Sequence, residues 1–80
     1  MSGERAILHV LKLQDPLPVR LSIIHIEVQA FVREAMTTCE VADTLNRLEI
    51  KRQVVCVRSE DRELKAKLTD AGRLRLAEGE

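Results

Sequence analysis

The stretch from Thr37 to Leu76 leaves this chain few architectures to choose from. It begins with a helix start signal: Thr37 and Glu40 stand at the spacing where each side chain can satisfy the other's backbone N–H. Val41, Leu45 and Leu48 recur at i, i+4 and i+7, which predicts a helix over residues 38–51 with one apolar stripe. Two runs of period-two alternation follow, Val54-Val55-Cys56-Val57 and Leu64-Lys65-Ala66-Lys67-Leu68, the pattern of strands with one face turned to a core. Between them Arg58-Ser59-Glu60-Asp61-Arg62-Glu63 is charged and free of apolar side chains, and reads as a hairpin tip.

Helix, strand, charged loop, strand and short helix, in that order, point to an α+β fold. The expected form is a small winged helix-turn-helix with a three-helix core, a two- or three-stranded wing and a short C-terminal helix. Residues 3–14 read as a helix with Ile7, Leu8, Val10 and Leu11 on a wide apolar side, ended by Asp15-Pro16. Leu17-Pro18-Val19 reads as a connector or a short edge strand beside the wing, where proline is tolerated. Ser22 to Arg33 is read as the first helix of the helix-turn-helix, with Ile24, Val28 and Phe31 on one stripe and Ser22 as N-cap. Ile23, Ile24, Ile26 and Val28 are β-branched and suit a strand equally well, but this fold needs a helix here. Ala35-Met36-Thr37 then becomes the turn. Residues 1–80 are taken as a single winged-helix domain, with Glu78-Gly79-Glu80 as a frayed end.

Three short motifs carry a resemblance: Arg47-Leu48-Glu49, Glu60-Asp61-Arg62, and Leu68-Thr69-Asp70-Ala71-Gly72-Arg73. Together they resemble the recognition-helix end, wing tip and post-wing helix of MarR-type winged-helix transcription regulators, which typically show RLE, EDR and LTxAGR there. The resemblance lies mainly in residues 37–76. It implies a winged-helix fold, DNA binding, and dimers formed through additional terminal helices. Two departures stand out. Gln53 occupies the place where the family commonly has a glycine to close the helix at positive φ, so either Gln53 bears strain or the helix ends differently here. The chain between the first helix and the recognition helix is also longer than the family pattern.

Composition narrows the class of partner. A chain of 80 residues that is 45% hydrophobic with Phe31 as its one aromatic must build an aliphatic core. Modules that stack bases on aromatic platforms are thereby disfavoured. Lys+Arg and Asp+Glu are both 13, so any basic footprint must be local. One exists: between Lys51 and Lys67, Lys51, Arg52, Arg58, Arg62, Lys65 and Lys67 face only Glu60, Asp61 and Glu63. No apolar run approaches the roughly 18 residues a membrane span needs. With no basic-then-apolar leader, the expected location is cytoplasmic, and Cys39 and Cys56 are expected to be free thiols.

The resemblance and the charge pattern together nominate contact residues. The N-terminus of the 38–51 helix would face a phosphate, its free N–H groups assisted by the Thr37 and Thr38 hydroxyls. An exposed face of Glu40, Asp43, Thr44 and Arg47 would enter the major groove. Arg62 at the wing tip would reach the backbone or minor groove, while Arg58 and Lys65 would steady the hairpin on phosphates. The candidate DNA-binding residues are therefore Thr37, Thr38, Thr44, Arg47, Arg58, Arg62 and Lys65. Against this stands a plainer account, in which Glu40 merely completes the cap and Asp43 pairs with Arg47 at i+4. Gly72, inside the last helix, costs about 1 kcal/mol relative to alanine, and close packing is its expected reason.

No residue cluster announces chemistry. His9 and His25 read as boundary histidines and Cys56 as core; no C-x₂-C or H-x₃-H pair exists. Walker-type, GxSxG and HExxH motifs are missing from the sequence. No catalytic residue, metal or cofactor is therefore expected. Two functions remain in view. One is a double-stranded-DNA-binding protein, either a transcription regulator or a phage- or plasmid-type accessory factor, acting alone or as a homodimer. The alternative is a winged-helix protein–protein interaction module that docks a protein partner through its acidic recognition face.

Overall fold

A computed structural model describes residues 2–58 and 63–78. Ser2 accepts a hydrogen bond from the Arg5 N–H at 3.2 Å and so starts α1 (Gly3–Gln14). The chain continues through β1 (Val19–Arg20), α2 (Leu21–Val28), α3 (Thr38–Ile50), β2 (Val54–Arg58), β3 (Leu64–Leu68) and α4 (Asp70–Ala77). The strands form one antiparallel sheet in the order β1-β3-β2. Residues 59–62, including Arg62 and the Glu60-Asp61-Arg62 motif, lie outside the described residues.

The register sorts the sheet into two faces. Val54, Cys56, Ala66, Leu68 and Val19 align on the inner face, where α1, α2 and α3 cover them. Val55, Val57, Lys65, Lys67 and Arg20 align on the outer face. Ile7, Leu8, Leu11, Ile24, Leu45 and Leu48 fill the centre. Each such side chain contributes about 1.5–3 kcal/mol by leaving water. Cys56, expected in the core, is only half-buried, because β2 is an edge strand and the core thins toward the hairpin. His9 sits at the core's rim, edge-on to Phe31 with ring centres 4.7 Å apart.

The segment expected as one helix over residues 22–33 is shorter and begins earlier. α2 spans Leu21–Val28, and its N-cap is Arg20, not Ser22. β1 passes directly into the helix, so the extended residue before the first turn is the last residue of the strand. Ser22 lies within the helix and its hydroxyl donates instead to Glu63 at 3.3 Å. At the other end Gln29 stops the helix. Its amide nitrogen donates to the carbonyls of His25 at 2.7 Å and Met36 at 2.9 Å, and its amide oxygen accepts the Met36 N–H at 2.9 Å. One side chain thus ties the loop over 29–36 shut. The turn expected at residues 35–37 is the end of this longer loop.

Of the two outcomes open at Gln53, strain there or a different close of the helix, the structure shows the second. Arg52, not Gln53, takes the left-handed backbone with φ of 62°. Gln53 N–H bonds the Leu48 carbonyl and Arg52 N–H bonds that of Glu49, the paired closure in which the residue after the C-cap turns left-handed. The start of α4 then docks on this corner. Thr69 caps α4 by accepting from the Gly72 N–H, while its hydroxyl donates to the Arg52 carbonyl at 2.6 Å. Its own N–H bonds the Gln53 carbonyl at 3.1 Å. A Cβ on Gly72 would overlap that same carbonyl oxygen, so the expected close packing is realised against backbone.

Candidate nucleic-acid interface

α3 starts as its sequence requires. Thr37 Oγ1 accepts the Glu40 N–H at 3.1 Å and Glu40 Oε1 accepts the Thr37 N–H at 3.0 Å, the reciprocal cap. One consequence bears on anion binding. The Glu40 carboxylate already sits at the positive end of the helix and takes a backbone donor there. Thr37 and Thr38 are both exposed beside it.

Val41, Thr44, Leu45 and Leu48 form the buried side of α3. Thr44 is the correction: expected on the exposed face, it is 3% exposed. Its position at i+3 from Val41 and i−4 from Leu48 places it on the apolar stripe, a periodicity readable in the sequence. Burial is tolerated because its hydroxyl donates to the Glu40 carbonyl at 2.8 Å and accepts from Arg47 Nη2 at 3.2 Å. Arg47 is exposed, but its partner is Thr44 and not Asp43, as i+4 pairing had predicted.

The side of α3 facing away from the core carries Cys39, Asp43, Asn46 and Ile50, all exposed. Each flank of this ridge borders a depression. On the α1 side, Asp43, Thr44 and Arg47 line an open groove of about 720 Å³ together with Glu4, Arg33 and Arg75. On the wing side, Ala42, Asn46 and Glu49 face Cys56, Arg58 and Leu64 across a cleft of about 270 Å³. Glu49 bridges that cleft at its base, accepting the Cys56 N–H at 3.0 Å. This N–H points away from β3, so the carboxylate covers part of an open strand edge. Burial first, and the nearby Glu49 charge second, push the Cys56 thiol above its ordinary range.

The expected contact residues therefore divide. Arg58 lines the wing-side cleft with Ala42, Asn46 and Glu49 of α3, and does not share a depression with Thr44 and Arg47 as the sequence reading expected. Thr44 and Arg47 line the other flank. Lys65, expected to work with Arg58, lies on the outer face of the sheet, opposite Val57 and Arg20, because β3 residues 64 and 65 necessarily face opposite ways. Arg62 lies outside the described residues. Asn46, which the sequence reading did not nominate, also lines the wing-side cleft, at i+3 from Asp43 and away from the apolar stripe. Among the described residues, no group of three or more His, Cys, Asp or Glu is placed to hold a metal ion, and no helix is long and apolar enough to cross a membrane.

Comparison with solved structures decides the architecture. A transcriptional regulator of the MarR family from Silicibacter pomeroyi superposes with a TM-score of 0.81 over 95% of this chain, at 17% sequence identity. The fold is a winged helix. No protein-family model and no curated protein matches the sequence. The chain spans about half the length of the regulator it superposes on, covering 47% of it. Within the winged helix, α3 holds the position of the second helix of the helix-turn-helix and β2–β3 form the wing.

Proposed function

We propose that this winged helix binds double-stranded DNA, as a transcription regulator, with α3 lying in the major groove and the wing on the backbone. The observation that carries the reading is the ridge of α3, exposed along its length and separated from Arg58 only by a shallow cleft. A helix and a hairpin cation on one surface match how helix-turn-helix modules divide base reading from phosphate contact. The likeness to the MarR-family regulator supports it. Arg58 neutralises a phosphate beside the cleft. Arg47 serves a phosphate on the opposite flank, and the exposed Thr37 and Thr38 hydroxyls donate near the helix start. Arg62, between the two strands in sequence, extends the basic footprint; Lys65, on the outer sheet face, stands apart from it. Thr44 acts indirectly, by holding the Arg47 guanidinium. No catalytic step, metal or cofactor enters this reading.

Titration of a panel of duplex fragments at stepped ionic strength tests it. Affinity is expected to fall steeply with salt, and Arg58→Ala to weaken binding evenly across sequences while reducing the log–log salt slope by about 1. Absence of binding to every duplex at low salt would sink the proposal. A second reading, a module that docks a protein partner, is favoured by Glu4, Glu34, Glu40 and Asp43 along the α1-side groove. It predicts that failure together with capture of a basic partner. A two-fold DNA site would engage two copies of the chain, which sedimentation across a concentration series reads directly.

A further inference from the structure

The polar side chains of α3 divide into those the fold has used and those it leaves free. Glu40 closes the N-cap, Thr44 is buried against the Glu40 carbonyl, Arg47 is held by Thr44, and Glu49 fastens the edge of β2. Beyond the first turn that leaves Asp43 and Asn46. Both are exposed, and among the described residues neither has a hydrogen-bond or ion-pair partner. They stand at i and i+3 near the middle of the outward ridge, so their Cβ atoms are about 5–6 Å apart. Asn46 also borders the cleft that contains Arg58.

Free polar groups at this place are informative because the chemistry of base edges is restrictive. An asparagine amide matches the N6 donor and N7 acceptor of adenine, and a carboxylate accepts only from a donor, which in the major groove is best supplied by cytosine N4. We propose that Asp43 and Asn46 are the base-reading pair of α3, Asn46 bonding an adenine edge and Asp43 a cytosine amino group within two base steps of it. The assignment rests on duplex binding through α3 as proposed above. It gives the acidic residue a purpose: Asp43 repels phosphates everywhere and is compensated where a base amino group, best that of cytosine, meets it. Arg47 and Arg58, on the two flanks, then supply affinity without sequence preference.

The test is selection from a randomised duplex library, followed by anisotropy titration of every single-base variant of the selected site, for the wild type and three substitutions. The wild type should favour adenine at one position by about tenfold or more. Asn46→Ala should flatten that position while leaving affinity for unselected DNA within about twofold. Asn46→Arg should move the preference there from adenine to guanine. Asp43→Asn should relax a neighbouring cytosine preference and tighten binding to all duplexes, an outcome that loss of structure does not produce. Both positions are exposed on a helix, and thermal melts confirm that each variant folds. If the wild type binds with steep salt dependence and Asn46→Ala leaves the base profile unchanged, this assignment is overturned and duplex binding stands. If no duplex binds at low salt, both fall.

Discussion

Gly72 shows how much one missing methyl group can decide. Its N–H is taken by the Thr69 cap, and the space a Cβ would fill holds the Gln53 carbonyl oxygen, with Leu68 Cδ2 3.0 Å away. The carbonyl is itself bound by the Thr69 N–H and has little freedom to retreat. Gly72→Ala gains helix propensity of about 1 kcal/mol. It must also force α4 off the corner that follows α3, an overpacking that typically costs about 1–3 kcal/mol before further rearrangement. The expected net effect is destabilisation, read as a lower urea midpoint with an unchanged slope. A neutral or raised midpoint would show that α4 slides without cost. The family-like motif around Gly72 has the same structural character throughout: Leu68 is core, Thr69 ties two elements, and Arg73 grips Asp15 with two bonds of 2.7 Å.

At the scale of elements, the helix with both a capping pair and an apolar stripe was the readable one. The Thr37–Glu40 pair and the Val41, Leu45, Leu48 stripe lie within α3 itself, and local physics was enough to locate it. α2 had no such marking. Four β-branched residues and no capping side chain left its limits to what lies around it, namely a strand running in at Arg20 and the Gln29 clip at Met36. The close of α3 carries a remaining strain, since Arg52 adopts the left-handed conformation that glycine takes freely. Arg52→Gly keeps both backbone closures and relieves a cost of about 1–2 kcal/mol, less the added chain entropy of glycine, for an expected net gain of about 0.5–1 kcal/mol. Chemical denaturation of the variant checks this. A lower midpoint would mean that the Arg52 side chain contributes more than its backbone conformation costs.

Across the whole molecule, ion pairs tie the ends of the chain to its middle. Glu4, in the first turn of α1, bonds Lys51 at the end of α3 and Arg75 on α4, each at 3.0 Å. The Lys51 bond foremost, then that of Arg75, holds the Glu4 carboxyl below its ordinary 4.5. The Arg73 guanidinium likewise holds Asp15 below 3.8. Groups depressed in the folded state bind protons more readily when unfolded. Their stabilisation is therefore complete above about pH 5 and drains away as pH falls below about 4. Urea midpoints should be flat in this respect from pH 7 to 5 and drop toward pH 3. Glu4→Gln and Asp15→Asn should lower the pH 7 midpoint and flatten the acid limb. An unaltered limb in the double variant would show that other carboxylates carry the acid response.

Taken by itself, the sequence determined the sheet faces, the start and buried stripe of α3 and the order of elements, because period-two alternation, a capping pair and a 3.6-residue stripe act between near neighbours. Its family-like motifs pointed to the fold for the same reason: Leu48, Glu49, Thr69, Gly72 and Arg73 hold the scaffold. Which side chains stand free for a partner was decided only in three dimensions. Glu49 was taken by the Cys56 N–H of β2, and Glu4 by Lys51 and Arg75, whereas the burial of Thr44 and the outward turn of Lys65 already follow from their helical and strand periods. A hydrogen bond between α3 and β2, or an ion pair joining α1 to α4, depends on how helices and sheet come to rest against one another, and packing over the whole chain sets that. Beyond the first turn, Asp43 and Asn46 are the polar side chains of α3 that such packing leaves uncommitted among the described residues.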